Sequence, residues 1–122
     1  MEGSILVADD DDAVRRFAAR TLQAMGFRVR EARDGREAIQ LLEAEPSLRA
    51  VLLDHSMPGV SGSDVLAEIR KHYPDLPVIL SSGHPEGFAN VDRSEPRFVW
   101  LPKPYRADAL RRALDRALAS LA

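Results

Sequence analysis

The chain has 122 residues, of which 45% are hydrophobic and 30% are charged, and its formal net charge is −2. This length suits a single domain over residues 1–122, and the charge argues against direct binding of nucleic acid. The absence of cysteine excludes disulfides and thiolate metal sites, and no apolar run approaches the roughly 20 residues of a transmembrane helix. The N-terminal apolar run has no basic region before it, so it does not resemble a signal peptide, and we expect a cytoplasmic protein without a membrane partner.

The first half of the chain alternates between short apolar runs and stretches with helical periodicity. The run at 4–8 predicts a strand that is buried on both faces, and the alternation at 27–32 predicts a half-exposed strand. Between them lies a predicted helix that ends at Gly26. Its apolar residues are Val14, Phe17, Ala18, Leu22 and Met25. Asp34 can cap a second helix, which stops near Pro46.

The second half of the chain predicts three more strands, at 50–54, 78–82 and 97–101. A third helix runs to about His72. The stretch at 83–96 is rich in glycine and proline and predicts a short or irregular helix. The apolar stripes of the third and the final helix are Val65, Leu66 and Ile69, then Leu110, Leu114, Ala117, Leu118 and Leu121. Five strands that alternate with five helices predict an α/β fold with a doubly wound parallel sheet.

Polar residues fall at the carboxyl ends of the predicted strands, where open α/β sheets bind ligands. The first strand leads into Asp9 and Asp10, the third ends in Asp54, the fourth ends in Ser82, and Lys103 follows the fifth. Carboxylates that converge repel one another unless a cation lies among them, and Mg²⁺ accepts carboxylates, water and phosphate oxygens as ligands. A carboxylate can also act as a nucleophile toward phosphorus. The set therefore indicates magnesium-dependent phosphoryl transfer.

Four motifs, ILVADDDDAVRR, VLLDHSMPGVSG, PVILSSG and LPKPY, occur in this order along the chain. Together they resemble the receiver domain of bacterial two-component response regulators, and the resemblance covers essentially the whole chain. It implies a flavodoxin-like three-layer sandwich with a five-stranded parallel sheet of order 2-1-3-4-5. The segment SSGHPEG is more similar to receivers attached to hybrid histidine kinases than to those that drive DNA-binding domains.

The resemblance implies a role for each matching residue of the site. Asp54 would be the phosphoacceptor. Asp10 would bind Mg²⁺ (or Mn²⁺) directly, Asp9 would act largely through metal-bound water, and Asp54 and the backbone carbonyl of Ser56 would complete the protein ligands. Lys103 would pair with the acceptor when it is empty and with the phosphoryl group when it is attached.

The resemblance also implies switch and tuning positions. Ser82 fills the switch Ser/Thr position, whose hydroxyl turns toward the phosphoryl group, and Trp100 stands where the family usually has Phe or Tyr. Ser56 and His84, two residues beyond the acceptor and the switch residue, would border the attacking water and influence the lifetime of the aspartyl phosphate. The peptide bond before Pro104 would be cis.

The run of four aspartates divides into two pairs under this interpretation. Asp9 and Asp10 belong to the site. Asp11 and Asp12 match no functional position and fall at the start of the first helix, where a carboxylate can cap free N–H groups and favours the helix dipole.

The implied function is a phosphoacceptor signalling switch. A histidine kinase or a phosphotransfer domain would donate the phosphoryl group, and the surface formed by the fourth predicted helix, the fifth strand and the fifth helix would change conformation. Such a domain is not an enzyme in the usual sense, because it catalyses only its own phosphorylation and dephosphorylation. It could be fused to a kinase or an output domain, or form a homodimer.

Two alternatives remain open at this point. A magnesium-dependent phosphohydrolase would also use an aspartyl nucleophile, but such enzymes normally carry a second carboxylate where this chain has Ser56. A degenerate receiver would serve only as a protein-interaction module. The complete set of Asp10, Asp54, Ser82 and Lys103 counts against that alternative.

Overall fold

The computed structural model describes residues 3–83 and 98–119. The strands are β1 Ser4–Ala8, β2 Arg28–Ala32, β3 Leu48–Asp54, β4 Val78–Ser82 and β5 Phe98–Pro102. The helices within the described ranges are α1 Asp12–Ala24, α2 Gly35–Ala44, α3 Gly62–His72 and α4 Ala107–Ala119. The final helix of the sequence prediction is therefore α4 here, and the helix predicted at 83–96 lies, apart from its first residue, outside the described residues. None of the described helices is both long and apolar enough to cross a bilayer.

The five strands form one parallel sheet in the order β2-β1-β3-β4-β5, which confirms the predicted fold. β1 and β4 are buried along their whole length because both faces of these strands are covered, whereas the edge strand β2 is mostly exposed. β3 begins two residues before the predicted start at Ala50, since Leu48 already pairs with Ser4 of β1. The apolar run marked only the part of β3 that is buried on both faces.

Helices cover both faces of the sheet, and each face has its own apolar core. The core between the sheet, α1 and α4 contains Ile5, Val7, Leu22, Leu52, Ile79, Leu110 and Leu114. The core between the sheet, α2 and α3 contains Leu6, Leu42, Val51, Leu53, Val65, Ile69 and Leu80. Alternate residues of a strand point to opposite faces, so each central strand contributes to both cores.

Side chains that precede the helices fix where these begin. The carboxylate of Asp11 accepts hydrogen bonds from the N–H groups of Ala13 and Val14, and that of Asp34 accepts one from the N–H of Glu37. Gly26 follows the C-cap of α1 with a φ of 97°, a conformation that glycine adopts readily. The predicted capping roles of Asp11 and Asp34 are confirmed.

Phe17 departs from the predicted apolar stripe of α1. Its side chain is 41% exposed and packs beside the ring of Tyr105, with 6.2 Å between the ring centroids. The buried face of α1 is instead centred on Ala18, Ala19 and Leu22. Phe17 lies at the edge of this face, where helical spacing alone does not distinguish a buried residue from an exposed one.

Candidate functional site

Three carboxylates, those of Asp9, Asp10 and Asp54, meet at the carboxyl edge of the sheet and form the acidic cluster. Asp9 and Asp10 follow β1, and Asp54 closes β3, which pairs with β1. One carboxylate oxygen from each residue lies within 4.8 Å of the others. Asp9 and Asp54 are each 3% exposed, whereas Asp10 is exposed. The order of the strands thus joins residues that are far apart in the chain.

Lys103 reaches the acidic cluster from the end of β5. Its Nζ lies 2.9 Å from Oδ2 of Asp9 and 3.1 Å from Oδ1 of Asp54, and its backbone N–H donates to the carbonyl of Ser82. The Lys103–Pro104 peptide bond is cis. Burial disfavours the ammonium, but its hydrogen bonds and charge attraction to the two aspartates outweigh burial and raise the pKa of Lys103. The side chain is therefore a fixed positive charge between two carboxylates.

The carboxylate of Asp54, the candidate acceptor, binds a proton more tightly than an ordinary aspartate does. Burial is the main reason, and the negative charge of Asp9 adds to it; together they raise the pKa of Asp54 to about 6, against the opposing effect of Lys103. Both of its hydrogen bonds, from Nζ of Lys103 and from the N–H of Ser56 at 3.4 Å, end on Oδ1. Within the described residues, Oδ2 accepts no hydrogen bond and remains available for chemistry.

The acidic cluster is short of positive charge, because three carboxylates stand against one ammonium. An oxygen-only donor set of this kind fits a hard divalent cation such as Mg²⁺ or Mn²⁺ better than a transition metal that prefers nitrogen or sulfur. After burial, the charge of Asp9 is the second cause of the raised pKa of Asp54, and a cation among the carboxylates would offset that repulsion.

Asp9 is held through its backbone as well as its side chain. Its N–H donates to the carbonyl of Ala32 in β2, and its Oδ1 accepts from the N–H of Asp11 at 2.9 Å. Its carbonyl accepts a hydrogen bond from Nη1 of Arg15, at 3.1 Å. Asp9 therefore has contacts to β2, to α1 and, through Lys103, to the end of β5.

Arg15 was not singled out by the sequence analysis, although it is 6% exposed and contacts the site. The signal was its position, because it lies three, four and seven residues before Ala18, Ala19 and Leu22 and so occupies the buried stripe of α1. Burial opposes its charge, but hydrogen bonds to Asp12 and Glu31 outweigh burial and raise the pKa of Arg15. From the sequence alone, a charged residue at such a position looks like part of the solvent-exposed face of the helix.

The other predicted site residues lie at the same edge or outside the described ranges. Ser82 closes β4 and is buried, and its carbonyl is tied to the backbone of Lys103. Ser56 is exposed in the loop after β3. Trp100 is half-buried on β5 and packs against the core between the sheet, α2 and α3. His84 lies outside the described residues.

Comparison with known proteins agrees with this arrangement. The chain is 38% identical over 104 residues to the sensor kinase CckA of Brucella abortus, a match that covers 84% of this chain and 11% of the kinase. It is 37% identical over 109 residues to the response regulator MprA of Mycolicibacterium vanbaalenii, covering 87% of this chain and 46% of the regulator. The chain thus spans less than half the length of either relative.

Solved structures show the same fold. The receiver domain of NtrX from Brucella abortus superposes with a TM-score of 0.84 at 33% identity, covering 94% of this chain and 98% of that domain. A CheY-like receiver domain protein from Methanospirillum hungatei gives a TM-score of 0.89 at 22% identity, covering 99% of this chain and 97% of that protein. The family model of the response regulator receiver domain matches residues 5–115, and the chain belongs to that family.

Proposed function

We propose that this chain is a phosphoacceptor switch in which Asp54 receives a phosphoryl group from a histidine kinase or a phosphotransfer domain. The observation that carries the proposal is the placement of Lys103, whose Nζ bridges Asp9 and Asp54 at 2.9 Å and 3.1 Å. A carboxylate can act as the nucleophile toward phosphorus, and an ammonium beside it can neutralise charge on the phosphoryl oxygens during transfer.

Four groups of the chain would hold Mg²⁺ or Mn²⁺, namely the carboxylates of Asp9, Asp10 and Asp54 and the backbone carbonyl of Ser56. The bound ion would supply the positive charge that lets carboxylates and phosphoryl oxygens share one small space. The proposal is supported by the distances of up to 4.8 Å among the three carboxylate oxygens.

In the forward reaction, a carboxylate oxygen of Asp54 attacks phosphorus. A new P–O bond forms while the P–N bond to the donor histidine breaks; the electron pair of that bond returns to the imidazole, which takes a proton from solvent and leaves neutral. The ammonium of Lys103 would neutralise one phosphoryl oxygen, and the hydroxyl of Ser82 would donate a hydrogen bond to another. The chain thus contributes position and charge, as is typical of phosphoryl transfer.

In dephosphorylation, which is a separate hydrolysis, water attacks phosphorus, the P–O bond to Asp54 breaks, and inorganic phosphate leaves. Ser56 and His84 would border this water and set the lifetime of the aspartyl phosphate. The domain would catalyse only these two reactions on itself, and we place it in the cytoplasm.

The attached phosphoryl group would draw Ser82 and Lys103 inward and shift an existing conformational equilibrium. We propose that the shift is reported by the surface of the fourth predicted helix, β5 and α4, with Trp100 in the switch position on β5. The chain spans 11% of CckA and 46% of MprA, so we propose that residues 1–122 act as one receiver domain attached to, or paired with, a kinase or output domain. A homodimer is a further way to pass on the signal.

The proposal is tested by incubating the protein with Mg²⁺ and acetyl phosphate, a small phosphoryl donor, and measuring the intact mass. We expect the gain of one phosphoryl group in the wild type and none in Asp54→Asn. The matched control is Asp115→Asn, an exposed aspartate on α4, which should keep the full gain. A gain that survives in Asp54→Asn, or steady hydrolysis of phosphomonoesters, would overturn the proposal.

A further inference from the structure

We infer that Arg15 is a positioning residue for the metal site, because its guanidinium fixes the backbone turn that carries Asp9 and Asp10. The inference rests on the proposed function, since it concerns the Mg²⁺ that those aspartates would hold. Arg15 would touch neither the ion nor the phosphoryl group, and would act through the peptide unit between Asp9 and Asp10.

The guanidinium joins three parts of the fold with three different nitrogens. Nη1 donates to the carbonyl of Asp9 at 3.1 Å, Nε to Oε1 of Glu31 at 3.1 Å, and Nη2 lies 2.7 Å from Oδ1 of Asp12. These partners belong to the β1–α1 turn, to β2 and to the first turn of α1. The planar fork of an arginine can hold such a set in one geometry, and a lysine ammonium at the end of a flexible chain holds it less well.

The contact to Asp9 controls where Asp10 points. The carbonyl of Asp9 and the N–H of Asp10 belong to one planar peptide unit, so fixing the carbonyl also fixes the direction in which the chain enters Asp10. The N–H of Asp9 is already tied to the carbonyl of Ala32, so Arg15 completes the restraint on both sides of this residue. Among the residues that the structure describes, no partner holds the Asp10 carboxylate by a hydrogen bond or ion pair, and its direction therefore depends on the backbone.

Hydrogen bonds to Asp12 and Glu31 offset the burial of Arg15, yet stability alone does not require an arginine at this position. Arg15 is 6% exposed and is the fourth residue of α1, near the positive end of the helix dipole. Burying a cation there costs desolvation as well as dipole repulsion, and an apolar side chain of similar volume often serves as well or better. Its positive charge should also oppose the binding of another cation nearby. The hydrogen bond to the carbonyl of Asp9 is the contact that links Arg15 to the site.

Because the charge of Arg15 repels a cation, the direction in which its removal changes Mg²⁺ affinity distinguishes the two possible roles. If Arg15 acted only through its charge, its removal would strengthen Mg²⁺ binding. If Arg15 positions the turn, its removal weakens binding despite the loss of a repelling charge. The matched control is Arg16→Gln, which removes the same charge from the same helix at an exposed position.

The experiment is calorimetric titration of MgCl₂ into the wild type, Arg15→Gln, Arg15→Lys and Arg16→Gln. We expect the dissociation constant for Mg²⁺ to rise about tenfold in Arg15→Gln and by a smaller factor in Arg15→Lys, and to change less than twofold in Arg16→Gln. Phosphorylation by acetyl phosphate should need correspondingly more Mg²⁺ for half-maximal rate in Arg15→Gln. The rate at saturating Mg²⁺ should stay within about twofold of the wild type, because the chemical groups are intact.

Binding of Mg²⁺ by a folded Arg15→Gln with wild-type or greater affinity would overturn the inference. If Arg15→Gln does not fold, the test relies on Arg15→Lys, which keeps the positive charge but lacks the planar guanidinium. An unchanged affinity of Arg15→Lys for Mg²⁺ would contradict the positioning role. A wild type that binds no Mg²⁺ would instead contradict the proposed function. The two failures are therefore distinguishable in one titration series.

Discussion

The interior of the sheet and its carboxyl edge are both buried, but opposite forces act in them. Leu80 and Val51, in the interior, are fully buried among apolar neighbours, and their burial stabilises the fold. Asp9 and Asp54, at the edge, are each 3% exposed, yet their carboxylates repel each other, and among the described residues Lys103 is the one cation that bridges them. The strands therefore obtain their stability from the interior, while the edge keeps an unfavourable arrangement of charges that a cation and a phosphoryl group can use.

The largest expected change in the free energy of unfolding comes from opening a cavity in the interior. Leu80→Ala should lower the free energy of unfolding by about 3 kcal/mol, because it removes a fully buried side chain from a packed core. Urea denaturation followed by circular dichroism measures the change. Leu41→Ala, at a half-buried position on α2, is the control and should cost about 1 kcal/mol. Equal losses at the two positions would contradict the account of the interior.

At the edge, removing a charge should raise the free energy of unfolding instead of lowering it. Asp54→Asn should raise the free energy of unfolding by on the order of 2 kcal/mol at pH 7.5 in EDTA, because it removes a buried carboxylate that the fold holds at an energetic cost. Urea denaturation at a series of pH values gives the measurement.

The pH dependence of this gain follows from the pKa of Asp54. That pKa is about 6 in the folded protein and near 3.8 for an ordinary carboxyl, so the folded state binds the proton more tightly. The contribution of this group to stability is thus fully present below about pH 4 and is lost as the pH rises through about 6. The advantage of Asp54→Asn should shrink toward pH 4. An advantage that is constant with pH would mean that charge is not its cause.

Adding Mg²⁺ to the wild type should change the free energy of unfolding by a smaller amount. Mg²⁺ at ten times its dissociation constant should raise the free energy of unfolding by about 1.4 kcal/mol, since it binds only the folded protein. Thermal melts with and without Mg²⁺ measure the shift, which Asp10→Asn should reduce and Asp115→Asn should retain. If Asp10→Asn keeps the full shift, the ion binds elsewhere.

The sequence predicted the interior better than the edge, and the reason is physical. A strand that is buried on both faces must be a continuous apolar run, so β1 and β4 were placed with their correct bounds. The pairing of Leu48 with Ser4 extends β3 into a region where one face is uncovered, and no apolar pattern marks that extension.

At the edge, the acidic residues could be identified because each lies at the end of a predicted strand or within two residues after it. Arg15 could not, since its role depends on contacts to Asp9 and Glu31 that arise only when β1 and β2 pair and α1 docks. Helical spacing groups Phe17 with the apolar residues of α1, although its side chain is exposed and lies beside Tyr105. Charge partners and the rotation of a helix are tertiary properties, which a local pattern does not contain.

The carboxylate of Asp54 is the proposed phosphoryl acceptor, and locating the phosphorylated residue tests this proposal most directly. Borohydride reduces an aspartyl phosphate to homoserine, so treating the phosphorylated protein and sequencing its peptides by mass spectrometry identifies the modified residue. We expect homoserine at position 54 and at no other aspartate, in a yield that falls to background when EDTA replaces Mg²⁺. Homoserine at Asp9 or Asp10, or a yield at position 54 that does not depend on Mg²⁺, would contradict it.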